Sequence, residues 1–294
     1  MTRAANRALR DLVAEGAVIH VPTVWDGLSA RIATTTGWNA VLTSGLGVAA
    51  TMGLPDMDLY TADDNLRSVN HVAQAGDLAI MADLDNGYGG PLTVARVAER
   101  FEAAGASALM LEDQASPKRC PFYPGEPPHL TSVAGSAANI AAAVEGCRQE
   151  RTMVIARTDA RATDDIFRRA EAFAEAGAHM IMPNSPGEQF TLEDWAKLHD
   201  VVGLPLVGSA LPGSPLEKEL TDEVCLEVGI QVRIDALHAL YAATALLTDL
   251  FKDMRQGGVS AAAKYSMVSH HDFGAMMREA EYRELQKRYE VQSD

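Results

Sequence analysis

The segment AIMADLDNGYGGPLTVARVAERFEAAGASALMLE, residues 79–112, contains a complete strand–helix–strand unit. The runs AIMAD and ALMLE are short, apolar and continuous, which is typical of strands that are buried on both faces. A helix is predicted over Pro91–Ala104, because proline suits a helix start and Gly105 follows the last helical residue. Strands joined in this way lie parallel in one sheet, so the unit predicts an α/β fold.

The same unit recurs along the chain. Helical patterns over residues 26–36, 136–149, 162–176 and 191–199 separate further apolar runs. Eight strands that alternate with helices predict a (β/α)8 TIM barrel, and an open doubly wound sheet is the alternative. The six further runs are AVIHV (17–21), AVLTS (40–44), MVIAR (153–157), HMIMP (179–183), PLVG (205–208) and IQVRI (230–234).

Two helical patterns, over residues 236–255 and 273–289, lie beyond the last predicted strand. We therefore expect a single barrel domain over residues 1–294, with the barrel at about 17–235 and a C-terminal helical extension at about 236–294. Because a barrel closes without such helices, they either pack on a neighbouring subunit or extend their own barrel.

Composition narrows the class of protein. The chain has 294 residues, 47% of them hydrophobic, and a formal net charge of −15, which argues against nucleic acid or an anionic membrane as partner. No apolar run approaches the ~20 residues of a membrane span. The N-terminal stretch lacks the apolar core of a signal peptide, and three sparse cysteines without metal-type spacing suggest reduced thiols. We expect a cytoplasmic protein with a small-molecule ligand.

Acidic residues end two neighbouring strands. Asp83 and Asp85 lie two residues apart at the end of AIMAD, and Glu112 ends ALMLE. In a closed barrel these strand ends are adjacent at the catalytic face, and oxygen ligands suit Mg²⁺, or Mn²⁺, better than zinc. The alternative is that they are helix caps and loop acids. Three acids together with the glycines of NGYGG favour a metal site.

Two features could bind the anionic part of a ligand. Arg157 ends the fifth strand, where it could form a bidentate pair with a carboxylate or a structural ion pair with Asp159 or Glu112. The turn SGLG (44–47) follows the second strand and could hold a carboxylate or phosphoryl oxygen, or could be an ordinary strand–helix turn.

A long connection follows the fourth strand and contains PKRCPFYPGEPPH, residues 117–129. Loops of this length are often lids, and we expect this one to be exposed. Cys120 follows Lys118 and Arg119, whose charges should favour its thiolate, so the thiol could serve as an acid or base. The alternative is a cysteine without a chemical role.

As a set, VPTVWDGLSARI (21–32), SGLG (44–47), GLPD (53–56), ADLDNGYGG (82–90), LEDQASPKRC (111–120) and IARTDAR (155–161) resemble the isocitrate lyase and phosphoenolpyruvate mutase superfamily. The resemblance implies a modified (β/α)8 barrel, a Mg²⁺-dependent site for 2-oxo or 2-hydroxy acids, and a homotetramer that swaps C-terminal helices. It implies that Ser44, Gly45 and Leu46 bind the pyruvate- or glyoxylate-like part of the substrate and that Trp25 and Asp26 line the pocket. Asp83, Asp85 and Glu112 would contact the metal, and Asp83 would also contact the substrate. The catalytic residues would be Arg157, which clamps the carboxylate, Asp56, on a mobile segment near the reacting group, and Cys120, the lyase acid/base.

The chain departs from the usual lyase pattern in four places. Pro121 and Phe122 replace the Gly-His that follows the cysteine, Glu126 replaces a lysine, and Pro183 and Ser209 stand where Glu and Asn end strands six and seven. These changes weaken the polar site for the far end of a tricarboxylate. We expect a Mg²⁺-dependent carbon–carbon lyase, with a carboxyphosphonoenolpyruvate- or phosphoenolpyruvate-type phosphonomutase and a catalytically weak ligand-binding barrel as the alternatives.

Overall fold

A closed eight-stranded parallel barrel forms the larger part of the protein. The computed structural model describes residues 8–184, 186–187, 189–214 and 216–289. Each strand pairs with the next along the chain, and β1 pairs with β8 to close the ring. The predicted (β/α)8 barrel is therefore confirmed. The strands are β1 (Ile19–Val24), β2 (Ala40–Thr43), β3 (Ala79–Asp83), β4 (Ala108–Glu112), β5 (Met153–Thr158), β6 (Met180–Pro183), β7 (Leu206–Ala210) and β8 (Ile230–Asp235).

Helices surround and follow the barrel. Within the described residues, no helix is long and apolar enough to cross a membrane. The helices are α1 (Leu9–Ala14), α2 (Gly27–Thr35), α3 (Gly45–Thr51), α4 (Ala62–Ala73), α5 (Pro91–Ala104), α6 (Val133–Gly146), α7 (Thr163–Glu175), α8 (Leu192–Val202), α9 (Leu216–Glu219), α10 (Asp222–Glu227), α11 (His238–Gly257), a 3₁₀ helix (Val259–Lys264), α12 (His270–Met276) and α13 (Glu279–Tyr289).

The helices that differ from the sequence prediction include α6 and the pair α12 and α13. Helix α6 begins at Val133 rather than at residue 136, because Ser132 caps it by accepting the N–H of Gly135 at 3.2 Å. The helix predicted over 273–289 is two helices, and Arg278, with φ of 61°, lies between them. A non-glycine residue in the left-handed region does not continue an α-helix.

The barrel core follows the continuous apolar runs. Every residue of β3, β4 and β5 is buried, as expected for strands covered on both faces. Strand β8 instead alternates buried and half-buried residues, and Gln231, Arg233 and Asp235 are the half-buried ones. Its neighbour β1 leaves His20 and Pro22 half-buried in register with Arg233 and Asp235. The outer side of this β1–β8 seam is therefore partly open and polar.

The chain divides into two compact units, one through Ala239 and one from Leu240 onward. The second unit contains most of α11 and the helices after it. Helix α11 buries none of its residues, and several of its large apolar side chains are exposed: Tyr241, Leu246, Leu247 and Phe251.

Candidate active site at the carboxyl end of the barrel

The three predicted metal ligands lie at the carboxyl ends of β3 and β4. Asp83 ends β3, Asp85 follows two residues later and Glu112 ends β4, and all three are buried. The N–H of Asp85 donates to Asp83 Oδ1 at 3.2 Å, and the N–H of Glu112 donates to the carbonyl of Asp85 at 2.9 Å. Asp85 has φ of 50°, which turns the chain directly after the strand. These contacts bring the acidic segments together at one edge of the barrel.

The SGLG turn packs directly against these acids. The N–H of Gly45 donates to Asp83 Oδ2 at 3.1 Å, and a Cβ at Gly45 would lie only 2.7 Å from Asp85 Oδ1, so only glycine fits. Ser44 caps α3 by accepting the N–H of Gly47 at 3.4 Å. The turn therefore joins β2 to α3, as the alternative of an ordinary strand–helix turn required. Its role in binding substrate stays a prediction.

Two tyrosines that the sequence did not single out hold Asp85. The hydroxyls of Tyr60 and Tyr88 each donate to Asp85 Oδ2 at 2.5 Å, and the side-chain amide of Asn65 donates to the Tyr88 hydroxyl at 2.8 Å. Burial, with the negative charge of Asp85, raises the pKa of both tyrosines well above its ordinary value, so both remain donors. Tyr88 lies within NGYGG, but no sequence signal marked Tyr60.

Lys118 also occupies the acidic cluster. Its Nζ lies 2.6 Å from Asp56 Oδ1 and forms a buried ion pair with Asp85. Burial opposes the ammonium form, but Asp85, Glu112 and Asp56 outweigh it and hold the pKa of Lys118 well above its ordinary value. The lysine expected to activate Cys120 instead neutralises carboxylates, and it brings the predicted Asp56 into the site.

Arg157 forms the ion pairs that the sequence gave as its structural alternative. Its Nη2 lies 3.0 Å from Glu112 Oε2 and 2.9 Å from Asp159 Oδ2. Its Nε is buried and has no hydrogen-bond partner among the described residues. An arginine with one engaged edge and an unpaired Nε can still bind an anion, so the carboxylate clamp stays a prediction.

The residues at this site suit a divalent cation by charge. Burial raises the pKa of Asp56 and Glu112, and burial together with Asp85 raises the pKa of Asp83 to about 6. Glu112 Oε1 is buried without a hydrogen-bond partner among the described residues. Among the described residues, no group of three aspartate, glutamate, histidine or cysteine side chains has the arrangement needed to hold a metal ion. The ion pairs at the site join four buried carboxylates to two buried cations: Asp56, Asp85, Glu112 and Asp159 with Lys118 and Arg157. Asp83 is a fifth buried carboxylate at the site, so the carboxylates outnumber the cations.

A small cavity of about 60 Å³ lies at the centre of the barrel mouth. With about 10–15 Å³ for each water-sized position, it has room for roughly four to six non-hydrogen atoms. That number matches a two- or three-carbon 2-oxo acid. The predicted site residues that line it are Ser44, Leu46, Asp56, Asp83, Cys120 and Arg157.

Cys120 differs from its predicted environment. It is only 5% exposed, and its N–H donates to the carbonyl of Asp56 at 3.1 Å, so this part of the loop is packed into the barrel mouth. Burial raises the pKa of its thiol to about 11, so the expected exposed thiolate is wrong. The neutral thiol nevertheless lines the same cavity as Arg157.

Trp25 and Asp26 were predicted to line the pocket, but neither lines this cavity. The Cβ of Trp25 faces α3, where a Cβ on Gly47 would lie 2.8 Å away. Asp26 caps α2, accepting the N–H of Ser29 at 2.7 Å. Both residues therefore support the helices beside the site.

A sequence profile described as phosphoenolpyruvate phosphomutase matches residues 9–255. The chain belongs to this family. Its relatives include lyases and phosphonomutases, so the prediction of an enzyme in the isocitrate lyase and phosphoenolpyruvate mutase superfamily is confirmed.

Members of this family with different reactions are about equally similar to the chain. The 2,3-dimethylmalate lyase of Eubacterium barkeri is 29% identical over 96% of this chain and 96% of its own. The chloroplastic carboxyvinyl-carboxyphosphonate phosphorylmutase of Arabidopsis thaliana is 30% identical over 95% of this chain and 83% of its own.

Solved structures show the same range. The phosphoenolpyruvate phosphomutase from Streptomyces platensis subsp. rosaceus superposes with a TM-score of 0.86 at 29% identity, covering 96% of this chain and 98% of that one. Phosphonopyruvate hydrolase, solved with oxalate and Mg²⁺, superposes with a TM-score of 0.82 at 26% identity, covering 97% of this chain and 99% of that one.

The positions at which this chain departs from the usual lyase pattern lie on one side of the barrel mouth. Ser209 on β7 and Asn184 after β6 both line the small cavity, as does Phe122 from the loop after β4. Asn184 donates to Asp159 Oδ1 at 2.8 Å and so supports the partner of Arg157. The changed residues thus face the ends of β6 and β7, opposite the acidic cluster on β3 and β4.

Proposed function

We propose that the protein is a Mg²⁺-dependent carbon–carbon lyase that acts on a 2-hydroxy or 2-oxo di- or tricarboxylate and releases a pyruvate- or glyoxylate-like fragment. The observation that carries the proposal is the small cavity, where a protonated thiol, an arginine and two carboxylates meet in a space that fits a short 2-oxo acid. Relatives named as lyases support the same class of reaction.

Asp83, Asp85 and Glu112 would hold the Mg²⁺ ion. The two positive charges of Lys118 and Arg157 do not balance these three carboxylates. Bound there, Mg²⁺ would stabilise negative charge on the 2-oxo fragment as a Lewis acid. Mn²⁺ would serve as well, because its ligand preference is similar. The solved phosphonopyruvate hydrolase with oxalate and Mg²⁺ supports a divalent metal here.

The chain's own residues can carry the proton transfers of the cleavage of a 2-hydroxy acid. Arg157 would bind the substrate carboxylate through its unpaired Nε. Asp56, held by Lys118 at 2.6 Å, would accept the hydroxyl proton as the carbonyl forms. The electron pair of the broken bond would remain on the departing carbon, which would take its proton from Cys120. A raised thiol pKa suits this role, because the thiol carries its proton at neutral pH.

A phosphonomutase is the second candidate, supported by the relative named as a phosphorylmutase and by the solved phosphomutase. A catalytically weak ligand-binding barrel is the third, and the ion pairs that already engage the acids support it. Incubating the protein and Mg²⁺ with oxaloacetate, phosphonopyruvate and a panel of 2-hydroxy di- and tricarboxylates, with NMR of the products, tests all three. Release of pyruvate or glyoxylate supports the lyase. A rearranged carbon–phosphorus bond supports the mutase. Tight oxalate binding without turnover supports the ligand-binding barrel.

We also propose a homotetramer that swaps C-terminal helices, in the cytoplasm, with neither nucleic acid nor membrane as partner. The exposed apolar residues of α11 and the partly open β1–β8 seam support a subunit contact. The three unpaired cysteines support a reducing compartment. Light scattering of a chain truncated after Gly258 tests the helix exchange, and an unchanged subunit count would contradict it.

A further inference from the structure

A second and larger cavity adjoins the small one at the ends of β6 and β7. Its volume is about 870 Å³, against about 60 Å³ for the small cavity. The two cavities are neighbours, because they share four lining residues: Phe122, Asn184, Ser209 and Leu211. We call the larger cavity the side chamber. A substrate longer than a three-carbon acid must extend beyond the small cavity, and the side chamber is the space open to it.

The inner surface of the side chamber is largely apolar. Phe190 and Trp195 are buried and pack edge to face, with their ring centroids 5.5 Å apart. Leu192 and Leu216 join them, and Phe122 lies at the junction with the small cavity. Such a surface gains free energy when it covers apolar groups. The uncharged polar side chains that also line the side chamber carry no positive charge to pair with a carboxylate: Asn184, Gln189, Thr191, Ser209 and Ser214.

Charged groups lie only at the outer edge of the side chamber, as far as its described residues go. Arg161 and Glu219 are both exposed and carry opposite charges. Asn184 after β6 and Ser209 on β7, which line both cavities, are uncharged. A second anionic tail would therefore enter a space without a buried cation to receive it.

The geometry points to an apolar substituent as the group that the side chamber binds. Resting on the function proposed above, this inference makes the substrate a 2-hydroxy dicarboxylate whose third carbon carries an uncharged alkyl or aryl group of about four or more carbons. The 2-oxo fragment occupies the small cavity, and the departing monocarboxylic acid carries its apolar tail into the side chamber. Isocitrate-like substrates, whose tail ends in a carboxylate, are disfavoured.

Binding of substrate analogues that cannot be cleaved tests this assignment. Succinate, methylsuccinate and butylsuccinate lack the 2-hydroxyl group, and tricarballylate replaces the butyl tail with a carboxymethyl group. Calorimetric titration with Mg²⁺ should show affinity that rises up to about fourfold per methylene, so butylsuccinate should bind at least tenfold tighter than methylsuccinate. Tricarballylate should bind no tighter than methylsuccinate. A flat alkyl series, or tricarballylate tighter than butylsuccinate, would overturn the inference.

Oxalate separates this inference from the proposed function, because it fits the small cavity alone. If oxalate binds with Mg²⁺ and the alkyl series is flat, only the side-chamber assignment fails. If oxalate does not bind with Mg²⁺, the proposed function fails and the inference fails with it.

A matched pair of variants locates the effect. Leu216→Ala enlarges the side chamber at a partly exposed position and should weaken butylsuccinate roughly threefold or more while oxalate affinity is kept. Leu226→Ala removes an exposed leucine from α10 and should change neither affinity. Equal effects of the two variants on butylsuccinate would overturn the inference, as would tight tricarballylate binding that Arg161→Gln abolishes.

Discussion

Replacing Lys118 by methionine tests whether the acidic cluster has an excess of negative charge. The ammonium group is buried between Asp56 and Asp85, and methionine keeps most of the side-chain volume while removing the charge. Removing one partner from a buried ion pair typically costs about 3–5 kcal/mol, because the remaining charges stay buried and unpaired. At roughly 2–4 °C per kcal/mol for a domain of this size, the melting temperature in EDTA should fall by about 6–20 °C.

A divalent cation should restore more stability to this variant than it adds to the wild type. A cation present at a hundredfold excess over its dissociation constant stabilises the native state by about 2.7 kcal/mol. If losing Lys118 strengthens Mn²⁺ binding tenfold, the variant gains about 1.4 kcal/mol more at the same concentration, or roughly 3–6 °C.

Differential scanning calorimetry with EDTA and with Mn²⁺ measures both effects, and Lys197→Met, at an exposed lysine on α8, is the matched control. A Lys118→Met protein as stable as the wild type in EDTA, or one that gains no more from Mn²⁺, would refute the electrostatic reasoning.

Three further predictions address the metal, the thiol and the packing. Asp85→Ala should weaken Mn²⁺ about 10–100-fold in a paramagnetic relaxation titration, and unchanged affinity would exclude Asp85 from the metal site. With its pKa at about 11, Cys120 should react with iodoacetamide at pH 8 roughly 100-fold more slowly than a free cysteine does. Its alkylation rate, followed by peptide mass spectrometry, should rise about tenfold per pH unit up to pH 11. Fast alkylation at pH 8 in the folded protein would contradict this. Gly146→Ala places a Cβ 2.3 Å from the carbonyl oxygen of Ala95, so despite a helix-propensity gain of up to about 1 kcal/mol it should lower the unfolding free energy by about 1–2 kcal/mol, as measured in urea. Gly90→Ala meets open space and loses only the preference for glycine at the N-cap of α5, so it should cost less.

The sequence was sufficient for the barrel because six of its eight strands, all except β1 and β8, are continuous buried runs, and such runs indicate strands covered on both faces. The acids at the ends of β3 and β4 were predictable for the same reason, since the strand that carries each acid fixes its place at the barrel mouth. The turn after β2 was recognised, but its continuation as helix α3 was not, because GLGVAAT carries no amphipathic period.

Residues from long connections were not predictable in this way. Lys118 was interpreted from its neighbour in sequence, yet its partners Asp56 and Asp85 lie 62 and 33 positions away along the chain. Tyr60 reaches Asp85 from the segment before α4. Such contacts depend on the path of a loop, which local periodicity does not encode. Cys120 was misjudged for the same reason, because its pKa follows from burial in the folded loop rather than from adjacent charges.

Division of labour around the barrel explains how one family can contain reactions as different as those of its lyases and mutases. The groups proposed for metal and carboxylate binding come from the ends of β3, β4 and β5, where ion pairs and buried hydrogen bonds couple every member to the next. A change there perturbs several buried charges at once and is costly. The side chamber lies at the ends of β6 and β7, and among its described lining residues only Asn184 shares a hydrogen bond with that network. Substitutions such as the serine at position 209 can therefore alter which substrate tail is accepted while the charged network stays intact, and specificity can change independently of the reaction on this scaffold.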